Sequence, residues 1–261
     1  MRGVGVEAHL REVRDSGRKI LVTYVTGGLG PDWVASLEAM VAAGADLVEI
    51  GVPFSDPVMD GPTIQEASIR ALSASATPAS IMDALARVEI PVPLVAMTYY
   101  NLVYRAGHAR FASMLGDAGV LGAIIPDIPL EESGEWESDA WARGVAPVML
   151  AAPVTPDDRL ARLCERSRGF VYGVNLMGVT GERASVATSA GVLAKRLKAV
   201  TDLPVVMGFG ISGPEQAVAA SAESDGVVVA SALMRILLDG GGPEAVGDAV
   251  AAIRHALDTS Y

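Results

Sequence analysis

The chain has 261 residues, 51% of them apolar and only 5% aromatic, and its 20 Lys and Arg against 31 Asp and Glu leave a formal charge of −11. That balance argues against nucleic-acid backbones and anionic membrane surfaces, which need clustered cations. An anionic substrate would have to be held locally, by backbone N–H groups.

The length is ample for a sizeable core and fits one α/β barrel domain spanning residues 1–261. The N-terminal stretch MRGVGVEAHLREVRDSGRKI carries charge throughout and lacks the apolar run of a secretory signal. The longest uncharged stretch, Ile90 to Tyr104, has 15 residues with two prolines, short of the ~18 that a transmembrane helix needs. Cys164 is the only cysteine, so no internal disulfide forms. These features predict a soluble cytoplasmic protein with no nucleic-acid or membrane partner.

Taken in chain order, a helix is predicted from Val6 to Ser16, followed by strands over 19–26, 46–52, 93–99, 122–127, 146–153, 169–176, 204–210 and 225–231. Each strand precedes a stretch that can be helical. The clearest runs from Pro31 to about Ala43, with Val34, Leu37 and Val41 on one face and Gly44 closing its end. Near-continuous apolar strands alternating with helices imply a parallel sheet covered on both faces. Eight such units fit a (β/α)8 TIM barrel, with the extra N-terminal helix plugging its floor. The segments GADLVEIG, GVLGAIIPD and ESDGVVVAS echo one another weakly in how they enter a strand.

In such a barrel the chemistry belongs to the C-terminal ends of the strands. Along the second strand Val48, Ile50 and Val52 face the helices, while Leu47, Glu49 and Gly51 face inward. Glu49 is therefore a carboxylate aimed at an apolar interior, where desolvation raises its pKa and makes it a usable proton donor and acceptor. The competing reading is a structural Glu paired with a cation. The loop GVPFSDPVMDGPTIQ (51–65) is stiffened by Pro53, Pro57 and Pro62 and carries Asp56 and Asp60. Asp60, just before Gly61-Pro62-Thr63, is either a second proton-handling group or a helix cap.

GFGISG (208–213) matches a dinucleotide fingerprint, but Asp225 precedes the next strand instead of ending it. A phosphate cradle is the better reading, with Gly208 and Gly210 letting the backbone approach and a helix N-terminus following. The loop MGVTGERASVATSAG (177–191) has the composition of a mobile lid, with Thr180 as the residue that meets the site. His9, His108 and His255 are scattered and expected to be structural or exposed, so no metal cluster assembles. Lys19, Lys195 and Lys198 avoid the strand C-termini, which argues against a Schiff-base aldolase.

VEIGVPFSDPVMDGPTIQ (48–65) closely resembles the signature of the tryptophan synthase alpha subunit family, and MTYYN, PDIPLEES, MGVTG, GFGIS and VVVASAL match in order over essentially the whole chain. The resemblance implies cleavage of indole-3-glycerol phosphate to indole and glyceraldehyde 3-phosphate. It implies Glu49 as general acid/base and Asp60 as the partner of the ring N–H. Tyr172, Thr180 and Phe209 would bind substrate, and Gly181, Gly210, Ile211, Ala230 and Ser231 the phosphate. It further implies a beta-subunit partner in a tetramer of two alpha and two beta subunits, with indole passing through an internal tunnel. Asp56 and an exposed Tyr99-Tyr100 pair would lie at the contact. No cofactor is expected in this chain, since the pyridoxal phosphate belongs to the beta partner. Met59, Ala230, Asn175 and Leu102 stand where alanine, glycine, serine and proline are common in the family. The other readings are a lyase working alone, a non-catalytic allosteric partner and a different phosphate-binding barrel enzyme.

Overall fold

The computed structural model describes residues 5–174, 183–208 and 210–261, and the side chains of 183–188 lie outside that description. The elements in chain order are α1 (Val6–Asp15), β1 (Ile20–Thr26), α2 (Trp33–Ala42), β2 (Leu47–Gly51), α3 (Pro62–Ser73), α4 (Pro78–Leu85), β3 (Leu94–Met97), α5 (Tyr100–Ala106), α6 (His108–Asp117), β4 (Val120–Ile124), α7 (Gly134–Ala142), β5 (Ala146–Ala151), α8 (Asp157–Arg166), β6 (Val171–Val174), α9 (Arg183–Lys198), β7 (Val205–Gly208), α10 (Pro214–Ser221), β8 (Gly226–Val229), α11 (Ser231–Leu238) and α12 (Gly242–Ser260). The eight strands close into a barrel in sequence order, and β8 pairs in parallel with β1. This is the expected TIM barrel with its N-terminal helix.

Local chemistry explains where the elements start and stop. Pro62 opens α3 directly after Gly61, where its missing N–H costs no hydrogen bond. Thr77 and Ser80 form a reciprocal capping box at α4. Gly44, at φ +104°, ends the α2 turn in a conformation that a side chain resists. Two boundaries differ from expectation. Helix α2 starts at Trp33, two residues after Pro31. Residues 183–191, expected within a lid loop, belong to α9; a run of small and polar residues does not distinguish a loop from a helix by composition alone.

Strand alternation divides the core in two. Ile20, Val22, Leu47, Val95, Ile124, Val148, Phe170, Tyr172, Val206 and Val228 fill the barrel, joined by Val6, Leu10 and Val13 of α1. Their outward neighbours, among them Leu21, Val25, Val48, Ile50, Val227 and Val229, pack against the helices. Val6 lies against Gly169 and close to Gly122, near the N-terminal ends of β6 and β4, so α1 does plug the floor. Each fully buried aliphatic side chain there contributes about 1.5–3 kcal/mol.

The floor is also tied by charge. Asp46 accepts from the Leu21 N–H at 2.8 Å and lies 3.3 Å from Arg254 Nη1. That guanidinium donates to the Lys19 carbonyl at 2.8 Å. Lys19 Nζ donates to the carbonyls of Ser221 and Ser224, both at 2.7 Å. With α1 and these ties sealing one end, the opposite mouth is left for chemistry. Among the described residues no helix is long and apolar enough to cross a membrane.

Candidate active site

Glu49 sits on β2 opposite Tyr24 of β1 and Val95 of β3. Its residue is 1% exposed, and its Oε2 has no hydrogen-bond partner. None of the ion pairs among the described residues involves it, so the structural reading, a buried Glu clamped by a cation, fails. Burial pushes its carboxyl up to about 8, with the charge of Asp60 adding to the effect.

Asp60 reaches the same region from the loop after β2. It does not cap α3: the N-cap residue is Gly61, with no side-chain capping bond. Instead its Oδ2 accepts from Tyr99 Oη at 3.1 Å, while that hydroxyl accepts from the Met59 N–H at 3.0 Å. Desolvation moves the Asp60 carboxyl up to about 6, against the opposing pull of the Tyr99 hydrogen bond. The loop is internally braced. Asp60 N–H donates to Pro57 O at 3.0 Å, and Gln65 Nε2 donates to Asp60 O at 2.9 Å.

The expected exposed tyrosine pair is corrected. Tyr99 is 5% exposed and stacks on Phe54 with ring centroids 5.0 Å apart. It continues the inward line of Val95 and Met97, so alternation turns it toward the barrel. Tyr100 is half-buried on the other side of the turn, its hydroxyl 3.0 Å from His108 Nε2. Asp56 is exposed, with Ser55 Oγ donating to it at 2.5 Å.

Tyr172 lies on β6, across the barrel from β2, and is buried within the interior cluster. Its ring occupies the space where a Cβ on Gly208 would stand, 2.5 Å from that position. Gly208 therefore makes room for the tyrosine. Gly210, at φ +67°, faces open space.

Ile211 is buried. The Ser212 N–H and Oγ both donate to Gln216 Oε1, at 2.6 and 2.5 Å. Ala230 is the N-cap residue of α11 and Ser231 its first residue, with no side-chain cap, so the first N–H groups of that helix remain open donors. Parallel pairing of Val206 with Gly226 and Met207 with Val227 brings the ends of β7 and β8 to the same mouth. Thr180, Gly181, Phe209 and Asn175 lie outside the described residues.

One side chain that sequence reasoning missed is Tyr24. It is 5% exposed, and a Cβ on Gly51 would fall 1.8 Å from its hydroxyl. Both Glu49 and Asp60 help to hold that phenol protonated, after the larger effect of burial. The signal was available: Ile20, Val22, Tyr24 and Thr26 share one face of β1, by the alternation that located Glu49.

Residues 10–257 match the family model described as tryptophan synthase alpha chain. The chain belongs to that family. It is 42% identical over 262 residues to the tryptophan synthase alpha chain of Halorhodospira halophila, covering 97% of this chain and 96% of that one. It is 40% identical to the counterpart from Streptomyces avermitilis over 98% of this chain and 94% of the relative. Among solved structures, a Mycobacterium tuberculosis tryptophan synthase superposes with a TM-score of 0.89 at 36% identity, covering 97% of each chain. The tryptophan synthase alpha subunit of Legionella pneumophila gives 0.89 at 28% identity, covering 98% of this chain and 100% of that one. Family membership makes the chain an alpha-type lyase of tryptophan biosynthesis.

Proposed function

We propose that this chain cleaves indole-3-glycerol phosphate in a retro-aldol reaction, with Glu49 as general acid/base and Asp60 as the partner of the indole nitrogen. The supporting observation is Glu49 itself, an interior carboxyl whose Oε2 has no hydrogen-bond partner and which no ion pair involves among the described residues. Near neutrality it is mostly protonated while Asp60 is ionised. Glu49 delivers a proton to the ring carbon that bears the side chain. Positive charge develops at the ring nitrogen, and the Asp60 carboxylate accepts a hydrogen bond from its N–H. The Glu49 carboxylate left by that transfer takes up the side-chain hydroxyl proton, and the carbon–carbon bond breaks as the hydroxyl becomes a carbonyl. Its electron pair returns to the ring, giving indole and an aldehyde. One proton enters and one leaves, so the reaction needs no redox partner and no cofactor of this chain's own.

In this reading Tyr172 walls the ring pocket, together with Thr180 and Phe209. Backbone N–H groups at Gly181, Gly210, Ile211, Ala230 and Ser231 take the phosphate. Local N–H donors suit a chain of charge −11, which lacks a general attraction for anions. We further assign a beta-subunit partner, which carries pyridoxal phosphate and receives the indole, in a cytoplasmic complex of two alpha and two beta subunits. Asp56 and Tyr100 stand at the contact.

The test is indole release by wild type and by Glu49→Gln, with and without a beta subunit. The substitution is expected to lower kcat by about 10²–10⁴-fold, the range of a lost general acid. Equal activity of the two proteins would remove Glu49 from its role. Inactivity of wild type even with the beta subunit would favour a non-catalytic partner.

A further inference from the structure

The structure places Tyr99 where neither the loop nor the strand alone explains it. It follows β3, yet its hydroxyl is occupied entirely by the loop after β2. There it accepts the Met59 N–H at 3.0 Å and donates to Asp60 Oδ2 at 3.1 Å. The ring is seated against Phe54 of the same loop, at 5.0 Å and an interplanar angle of 22°. Among the described residues this bond is the one that tethers the Asp60 carboxylate, and its neighbours Val58 and Met59 are 77% and 47% exposed. The aspartate therefore stands at the inner edge of an outward-facing loop, with its carboxylate bonded to a buried tyrosine.

We propose that Tyr99 is a positioning residue for Asp60: with its oxygen filled by the Met59 N–H, its single proton is committed to the carboxylate, which fixes that group toward the barrel interior. This rests on the assignment of Asp60 to the ring nitrogen. Three further features of the geometry suit the task. Tyr99 is only 5% exposed, which limits competition from water for its proton. Burial, followed by the charge of Asp60, raises its pKa, so it remains a donor throughout the working range. Among the described residues the bond from Tyr99 engages one Asp60 oxygen and leaves the other for a ligand N–H. A carboxylate held by one neutral donor stays a better acceptor for a cationic ring than one neutralised by Arg or Lys.

The experiment is a comparison of wild type, Tyr99→Phe and Asp60→Asn in the indole-release assay across pH 5–9, with melting temperatures recorded alongside. Phe keeps the ring and its stack but removes both hydrogen bonds. The expected result for Tyr99→Phe is a fall in kcat of about 10-fold, the effect of one hydrogen bond to a charged group, with KM changed much less. The acidic limb of its pH profile should also move upward, because the lost bond had favoured the carboxylate. Wild-type kcat and an unmoved limb would overturn the proposal. So would a fall in kcat with the limb unmoved, the mark of a merely structural tyrosine. Should the variant fail to fold, Phe54→Leu carries the same test by loosening the seat of the ring: an upward limb supports the proposal, and an unmoved limb overturns it. If Asp60→Asn turns over like wild type, the failure lies in the assignment of Asp60.

Discussion

Two carboxyls sharing one dry mouth cannot behave alike, and their surroundings separate them. Among the described residues Glu49 is buried without a partner, and burial pushes its carboxyl up to about 8, whereas Asp60 is less enclosed, receives a hydrogen bond and is moved up to about 6. The productive pair, protonated Glu49 with ionised Asp60, is therefore most populated between these values. A bell-shaped kcat/KM profile with limbs near about pH 6 and about 8 is expected; a plateau extending unbroken through pH 9 would contradict it. The same shift has a thermodynamic face. The folded-state pKa of Glu49 is raised above its ordinary 4.5, so folding stability is lost as pH rises through the window from about 4.5 to about 8. Glu49→Gln removes that titration. It should melt several degrees above wild type at pH 9, while any difference at pH 4 should lack this contribution. A gap independent of pH would mean that the carboxyl is not desolvated as described.

At the scale of elements, the placement of Glu49 was legible because a period-two strand leaves little freedom: once Val48 and Ile50 face the helices, residue 49 must face in. Asp60 was only half legible. The sequence presents an Asp before Gly-Pro-Thr, which looks like a cap, and the bond that redirects it comes from Tyr99, 39 residues away. Tyr99 was misread because two adjacent tyrosines look like one patch, although a turn between strand and helix sends them to opposite sides. The glycines show a similar limit. A glycine at a strand end is ambiguous in sequence, but Gly51 and Gly208 each vacate the volume that an inward tyrosine fills, Tyr24 and Tyr172 respectively. Gly208→Ala would place its methyl 2.5 Å from the Tyr172 ring and force that ring from the pocket wall. We expect a cost of about 1–3 kcal/mol in stability and a clear rise in KM, measured by denaturant unfolding and by steady-state kinetics. An unchanged KM would separate Tyr172 from substrate binding.

Over the whole molecule, the treatment of buried acids differs between the two ends of the barrel. At the floor, Asp46 is met by Arg254 and Arg18, and Asp225 by Lys198 and the Val205 N–H. At the mouth, Glu49 meets no cation among the described residues. A fold that needed its buried carboxylates only for structure would pair them all, so the unpaired acid marks the working end and the paired ones the holding end. Arg254 reaches Asp46 from α12, the last helix, and so links the end of the chain to its first two strands. Removing it as Arg254→Met leaves Asp46 buried with one partly exposed guanidinium, Arg18, at 3.4 Å. The expected loss is about 3 kcal/mol, at the lower end for breaking a buried pair because Arg18 remains. Melting should fall by roughly 6–12 °C for a domain of this size. Asp46 precedes Glu49 by three residues, roughly 10 Å along the strand, so kcat at 25 °C should stay within about twofold of wild type. Adding Asp46→Asn should recover part of the stability by removing the stranded charge, which a double-mutant cycle followed by thermal unfolding would measure. If Arg254→Met instead lowers kcat steeply while the protein remains folded, floor and mouth are mechanically coupled, and the division into a holding end and a working end is wrong.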